Sequence, residues 1–189
     1  MTLYRTVEPS AEPVTLAEAK QHMRIAHDSE DTLISGLIRA ARDEVEKSAG
    51  VALLDQDWRL ALDDWPKHDT AALMRHPVKE VLSVTLYGAD GEASVMNPAD
   101  YQFDALSRPA RLHFERRPQS LRVMNGIEVD FRAGYGEAGT DVPDLLKRAI
   151  LMLVAYWYEF RGAVGLADHP AAYPAGYERA IAAYRARRL

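Results

Sequence analysis

Apolar residues recur at helical spacing near both ends of the chain, and they alternate with polar residues through a run of short segments between those ends. The strongest helical stretch is 142–162, VPDLLKRAILMLVAYWYEFRG. Leu145, Leu146, Ala149, Ile150, Leu153, Trp157 and Phe160 fall three or four residues apart, and Leu151, Val154 and Tyr158 widen the stripe. A helix that is apolar over most of its circumference is expected to be buried, with the other helices packed around it. Asp141 is the expected N-cap, Pro143 suits the first turn, and Asp144 meets the positive end of the helix dipole. Arg161 would lie near the negative end, and Gly162 would take the left-handed position after it.

Three further helices are predicted. Thr15-Leu16-Ala17-Glu18 is a capping box that opens a short helix from Leu16 to about Arg24. Asp28 or Ser29 would cap a second, from about Glu30 to Ala49, with Gly50 as its stop. Leu33, Ile34, Leu37, Ile38, Ala41 and Val45 form its apolar stripe, which leaves Arg39, Arg42, Asp43, Glu46 and Lys47 facing outward. A last helix runs from Pro174 to about Arg187, with Tyr177, Ile181 and Tyr184 on one face. Residues 1–14 read as extended, because Pro9 and Pro13 discourage a helix.

Between Val51 and Tyr135 the period shortens to two, with turn residues at close intervals. Strands are expected at Asp57–Leu62, Ala71–Met74, Val78–Tyr87, Ala93–Met96, Tyr101–Phe103, Arg111–Phe114 and Gly126–Arg132. Ala89-Asp90-Gly91 reads as a hairpin turn. Trp58 and Trp65 are expected core aromatics of this sheet. The fold class that follows is α+β: a mainly α-helical bundle formed by both chain ends, with a central antiparallel β insertion. The helical core would take residues 1–50 and 140–189, and the β-rich insertion 51–139.

Composition narrows the function. The 189 residues carry 23 Lys and Arg against 28 Asp and Glu, a net charge of −5, which argues against general binding to a phosphate backbone. There is no cysteine, so no disulfide framework, thiolate nucleophile or cysteine metal site exists. The first residues lack the apolar core of a signal peptide, and the uncharged run 149–158 is far short of the roughly 20 residues that span a bilayer. A soluble protein made in the cytosol is expected, without a membrane partner. The charge is uneven, however: residues 185–189 read RARRL. Such an end is either a solvated terminus or a peptide that docks on an acidic partner.

Candidate chemistry is sparse. Gly134-Tyr135-Gly136-Glu137-Ala138-Gly139 fits the G-x-G-x-x-G pattern, but the next helix starts after Pro143, no second strand follows, and Glu159, at the distance of a ribose-binding acid, lies inside that helix. The stretch reads as a strand-to-helix turn. His22 and His27 stand five apart, so they do not share a helical face, and no zinc-binding spacing occurs. Asp63 and Asp64 are adjacent on a strand end and point to opposite faces. No nucleophile elbow is present. No catalytic residue, cofactor site or metal site is therefore assigned. Tyr156, Tyr158, Glu159 and Arg161 end an apolar helix with polar groups; they either pair with the dipole and snorkel, or form a subunit contact, with Tyr158, Glu159 and Arg161 as candidates.

Three pieces of the chain together resemble the head–tail connector, or adaptor, proteins of long-tailed bacteriophages and gene transfer agents. The first is Val14-Thr15-Leu16-Ala17-Glu18-Ala19-Lys20 with Asp31-Thr32-Leu33-Ile34 and the helix to Gly50. The second is Val129-Asp130-Phe131-Arg132-Ala133-Gly134-Tyr135-Gly136 followed by Val142-Pro143-Asp144-Leu145, and the third is Ala149-Ile150-Leu151 through Tyr158-Glu159-Phe160-Arg161-Gly162. Their order spans essentially the whole chain. The resemblance implies a structural protein without catalysis or cofactor, located in the neck of a particle. It implies a ring, commonly of twelve copies, beneath the portal protein, which extends the channel for double-stranded DNA and seats the next neck component. It also implies that the C-terminal segment, here Tyr184, Arg185, Arg187, Arg188 and Leu189, docks on the portal. Twelve copies at −5 each carry roughly −60 formal charges, which repels DNA passing through rather than holding it. The long region 51–135 departs from the family's smallest members. Rival readings are another neck component (head-completion, stopper or tail-terminator protein), a small enzyme using Gly134–Gly139 for a phosphate ligand, and a DNA-binding regulator.

Overall fold

The computed structural model describes residues 1–118, 121–160 and 173–185. They form two compact units, one from residues 1–9 and 55–135, the other from residues 10–54 and 136–185. The chain is α+β, but strand and helix contribute comparably rather than one insertion decorating a mainly helical body.

The first unit holds two antiparallel sheets. The larger has the order β1 (Thr2–Val7), β2 (Gln56–Leu62), β8 (Ile127–Ala133), β4 (Val78–Tyr87), β5 (Ala93–Val95). The smaller places β7 (Ala110–Phe114) between β3 (Thr70–Leu73) and β6 (Tyr101–Asp104). Each expected strand is present within a residue or two. The segment expected only to be extended and assigned to the helical part is instead a strand of the sheet unit, with Leu3 opposite Leu60 and Arg5 opposite Trp58.

Alternation sorts the large sheet into two faces. Ile127, Val129, Phe131 and Ala133 of β8 are fully buried, as are Leu60 of β2 and Val84 and Leu86 of β4. The intervening residues build a ladder of paired charges. Arg59 faces Asp130 across the β2–β8 pair and Asp57 faces Arg132. Arg59 grips Asp130 with two N–H donors at 2.7 and 2.8 Å and reaches Glu128 at 2.9 Å. Arg132 grips Asp57 at 2.8 and 3.2 Å and reaches Glu80 at 3.3 Å. Tyr87 donates to Glu128 and Ser83 to Asp130. Bidentate geometry of this kind is the strong form of the arginine–carboxylate pair.

The second unit holds the helices. α1 (Leu16–Met23) opens with the capping box read from the sequence: Thr15 Oγ1 accepts from Glu18 N, and Glu18 Oε2 accepts from Thr15 N at 2.7 Å. α2 (Asp31–Ala49) differs from expectation at its start. Neither Asp28 nor Ser29 caps it; Glu30 holds the N-cap position, and its side chain does not bond a helical N–H. Asp28 is drawn instead to Lys20, which also binds Asp31 at 2.7 Å, so a cation from α1 pins the turn between the helices. Gly50 ends α2 in the left-handed conformation, as expected.

The outward assignment of Arg42 and Glu46 is corrected: their side chains are 5% and 4% exposed. Arg42 donates to Glu12 at 2.8 Å and Asp43 at 3.0 Å and lies 3.5 Å from Glu46, whose other oxygen accepts Leu53 N at 2.8 Å. Two flanking segments supply Glu12 and Leu53 and close over a helix face that is polar by periodicity. α3 (Asp144–Glu159) is the apolar helix, with Leu146, Ala149, Ile150, Leu153 and Val154 buried. It packs on α2, α1 and α4. Its cap is also corrected. Pro143 is the N-cap, and the Asp141 carboxylate accepts Ala138 N at 3.0 Å instead of a helical N–H. α4 (Tyr177–Ala182) is shorter than expected, with Tyr177 and Ile181 fully buried. Arg161 and Gly162, the expected helix stop, lie outside the described residues.

Candidate docking and subunit-contact surfaces

Of the residues singled out in the sequence, the described ones fall at the ends of α3 and α4. Tyr158, in the last turn of α3, is half-buried, and its hydroxyl donates to Glu30 in front of α2. Glu159 is exposed and Phe160 is 45% exposed beside Tyr156, ring centroids 4.9 Å apart. Arg161 lies outside the described residues. Tyr184 follows α4 and is half-buried, its N–H donating to Ile181 O at 2.9 Å. Arg185 donates from Nε to Ser48 O at 3.1 Å and pairs with Glu178 at 2.6 Å, so its base is seated on α2 and α4. Arg187, Arg188 and Leu189 lie outside the described residues. The structure thus holds the root of the basic segment against its own unit.

Two tyrosines fix α4. Tyr173 stacks on Tyr177 at 4.6 Å and donates to Glu44 at 2.6 Å. Burial pushes the Tyr177 phenol up to about 12, so it stays protonated at any physiological pH. In the sheet unit, burial and the nearby Arg108 hold the His76 imidazole below its usual value, favouring the neutral ring.

The glycine stretch does not make a phosphate cradle. A Cβ on Gly136 would lie 2.1 Å from Asp141 Oδ2, and one on Gly139 would lie 2.6 Å from the Pro13 carbonyl oxygen. Both glycines are there for close packing. The loop's interior already contains a carboxylate, bonded to Ala138 N, where a bound phosphate would need free N–H donors. Asp63 and Asp64 serve the backbone, accepting from Asn125 N and Trp65 N. Among the described residues no group of three or more His, Asp or Glu side chains is placed to hold a metal ion. No helix among them is long and apolar enough to cross a membrane.

Sequence periodicity counted Leu145 as core, yet it is 50% exposed. It shares an open groove with Arg148, Met152, Gly176 and Arg179, between α3 and α4. The signal was present, since Leu145, Arg148 and Met152 fall on one helical stripe, but an arginine at its centre reads as a solvated position.

The described residues thus form an α+β chain with an open groove between α3 and α4 and polar groups at the ends of those helices. Residues 13–92 match the family of phage gp6-like head-tail connector proteins. That stretch runs from before α1 through β4 and contains the first of the three pieces that carried the resemblance. The whole chain matches a chain in the neck of an empty gene transfer agent (GTA) particle computed with C6 symmetry, at 26% identity and a TM-score of 0.84, covering 100% of this chain and 97% of that one. The same identity, score and coverage hold for a chain in the virion of the native GTA particle. A chain in the neck of the native GTA particle computed with C12 symmetry matches with a TM-score of 0.79. No curated protein matches the chain. The resemblance to head–tail connectors is thus shown, by the family over residues 13–92 and by the fold over the full length.

Proposed function

We propose that the chain is a structural neck protein: a head–tail connector that forms a ring between the DNA-filled head and the tail, without catalysis or cofactor. The observation that carries this reading is the full-length match to GTA neck chains together with the head–tail connector family match. The C12 symmetry of one matched neck supports a ring of twelve. The helices, drawn from both chain ends, supply one of the two units of each subunit, with Tyr158, Glu159 and Arg161 at subunit contacts. Arg185, Arg187, Arg188 and Leu189, led by Tyr184, reach the portal, whose docking groove would be acidic. The next neck component sits on the opposite side. Double-stranded DNA passes through the channel without specific binding.

The test is binding of the purified chain to its cognate portal ring, compared with a chain ending at Tyr184. Binding by the full chain and its loss on truncation supports both the connector and the docking segment. Binding by both keeps the connector and overturns the docking segment. Binding by neither to an assembled portal overturns the portal-side placement and favours another neck component.

A further inference from the structure

A chain with a net charge of −5 repels copies of itself at long range, and a contact that sets a local positive patch against a local negative one offsets that repulsion. Much of the positive charge is already spoken for. Arg42, Arg59, Arg111, Arg117 and Arg132 each carry a carboxylate partner. Arg148 and Arg179 carry none among the described residues. They flank the groove between α3 and α4, about 380 Å³, whose apolar surface comes from Leu145, Met152 and Ala180. Leu145 is half exposed there, in the first turn of α3, next to the fully buried Leu146. Gly176 lines the groove, and its φ of +90° favours glycine.

The complementary feature is the β4–β5 hairpin in the sheet unit. Residues 89–95 are all exposed, and β5 is an edge strand. The tip carries Asp90 and Glu92, neither in an ion pair among the described residues, followed by Val95 at 72% exposure. The tip is pre-shaped. Gly88 N donates to Glu92 O at 2.9 Å, Gly91 N to Gly88 O at 2.9 Å, and Glu92 N to Asp90 Oδ1 at 3.1 Å. A rigid projection with two acids and an exposed valine matches a groove with two arginines and an apolar floor, and little order is lost on docking.

We propose that the Asp90–Val95 hairpin of one copy docks in the Arg148–Arg179 groove of the next. The contact joins two different surfaces, so it is heterologous, the kind that closes into a ring when the rotation per subunit is right. The inference rests on the ring reading above and adds the surfaces that make it.

The absence of cysteine permits a direct test on the full chain. Glu92→Cys and Arg179→Cys are prepared as separate proteins, mixed in equal amounts at high concentration, and oxidised. The expected result is a disulfide-linked mixed dimer well above either protein alone. Adding Arg148→Glu to the Arg179→Cys chain should cut its yield by about tenfold, since an attractive partner for the acidic tip becomes a repulsive one. Asp90→Lys placed in the Glu92→Cys chain should restore the yield against the Arg148→Glu chain. No mixed cross-link, or one insensitive to these reversals, overturns the contact. Portal binding by the same unlinked chains separates the outcomes: binding retained without a cross-link leaves the connector standing and removes only this interface.

Discussion

Replacing Arg42 with methionine keeps much of the side chain's volume and removes its charge. The structure sets the size of the effect. The guanidinium is 5% exposed and is held by Glu12, Asp43 and Glu46. Burial alone would lower its affinity for a proton, but Glu12 and Glu46 more than offset that and hold it above its usual value. Glu12 is partly solvated and Asp43 is exposed, so both can turn to water. Glu46 cannot: it is 4% exposed and bonded to Leu53 N at 2.8 Å. Arg42→Met therefore strands one buried carboxylate, which costs about 3 kcal/mol, the low end for breaking a buried pair. In urea denaturation followed by helical circular dichroism, the helical transition should move down by about 1 M or more. Adding Glu46→Gln keeps an acceptor for Leu53 N and removes the stranded charge, so the double variant should recover at least half of the loss. A single variant within about 0.5 kcal/mol of the parent, a typical surface effect, would refute the claim that this network is a buried, cooperative one. So would a double variant no better than the single.

Other expectations are simpler to read. Thr15→Ala removes the cap of α1 and should cost about 1 kcal/mol, a melting shift of about 2–4 °C for a chain of this size. Gly139→Ala drives a methyl to 2.6 Å from the Pro13 carbonyl, a backbone atom, and should cost about 1–3 kcal/mol by denaturant titration. Asp104 is held well below the usual carboxylate range by Ser107 first and then Arg111. A lowered folded-state value means its contribution is present above the ordinary aspartate range and is lost as pH falls through the lowered one. Asp104→Asn should therefore speed amide exchange at Leu106 and Ser107 at neutral pH, and the difference from the parent should shrink on acidification.

Local signals carried most of the secondary structure. The Thr15–Glu18 box, the Gly50 stop and the Ala89–Gly91 turn each involve residues within one turn of each other, and each forms as read. The missed strand β1 shows where local reading fails. Its partly buried residues are Leu3 and Arg5, so apolar alternation is broken by a charged residue, and its partner β2 lies some 50 positions later. The division of the strands into two sheets is equally non-local, since β2 pairs with β8 across more than 60 residues. Arg42 and Glu46 were misplaced because a helical wheel knows only its own helix, while Glu12 and Leu53 arrive from outside it. The same limit applies to the surfaces. Tyr158 and Arg185 are identifiable as polar groups at helix ends, but their contacts with Glu30 and Ser48 depend on the packing of distant segments. Arg148 and Arg179 become one feature only when α3 and α4 are side by side.

The charge ladder on the large sheet bears on how such a surface treats nucleic acid. In Arg59 and in Arg132 all three guanidinium nitrogens lie within 3.3 Å of carboxylate oxygens. Two cations stand among four acids, Asp57, Glu80, Glu128 and Asp130, for a local sum of 2 − 4 = −2. A duplex gains affinity for a protein by shedding its counterions onto unclaimed cations. Here the counterions of each arginine are covalently part of the sheet and cannot be displaced into bulk solution. Such a face has no counterions to release to a phosphate chain, and raising or lowering the salt would change its grip on one very little. A phosphate chain brought against it would find no arginine whose donors are unclaimed.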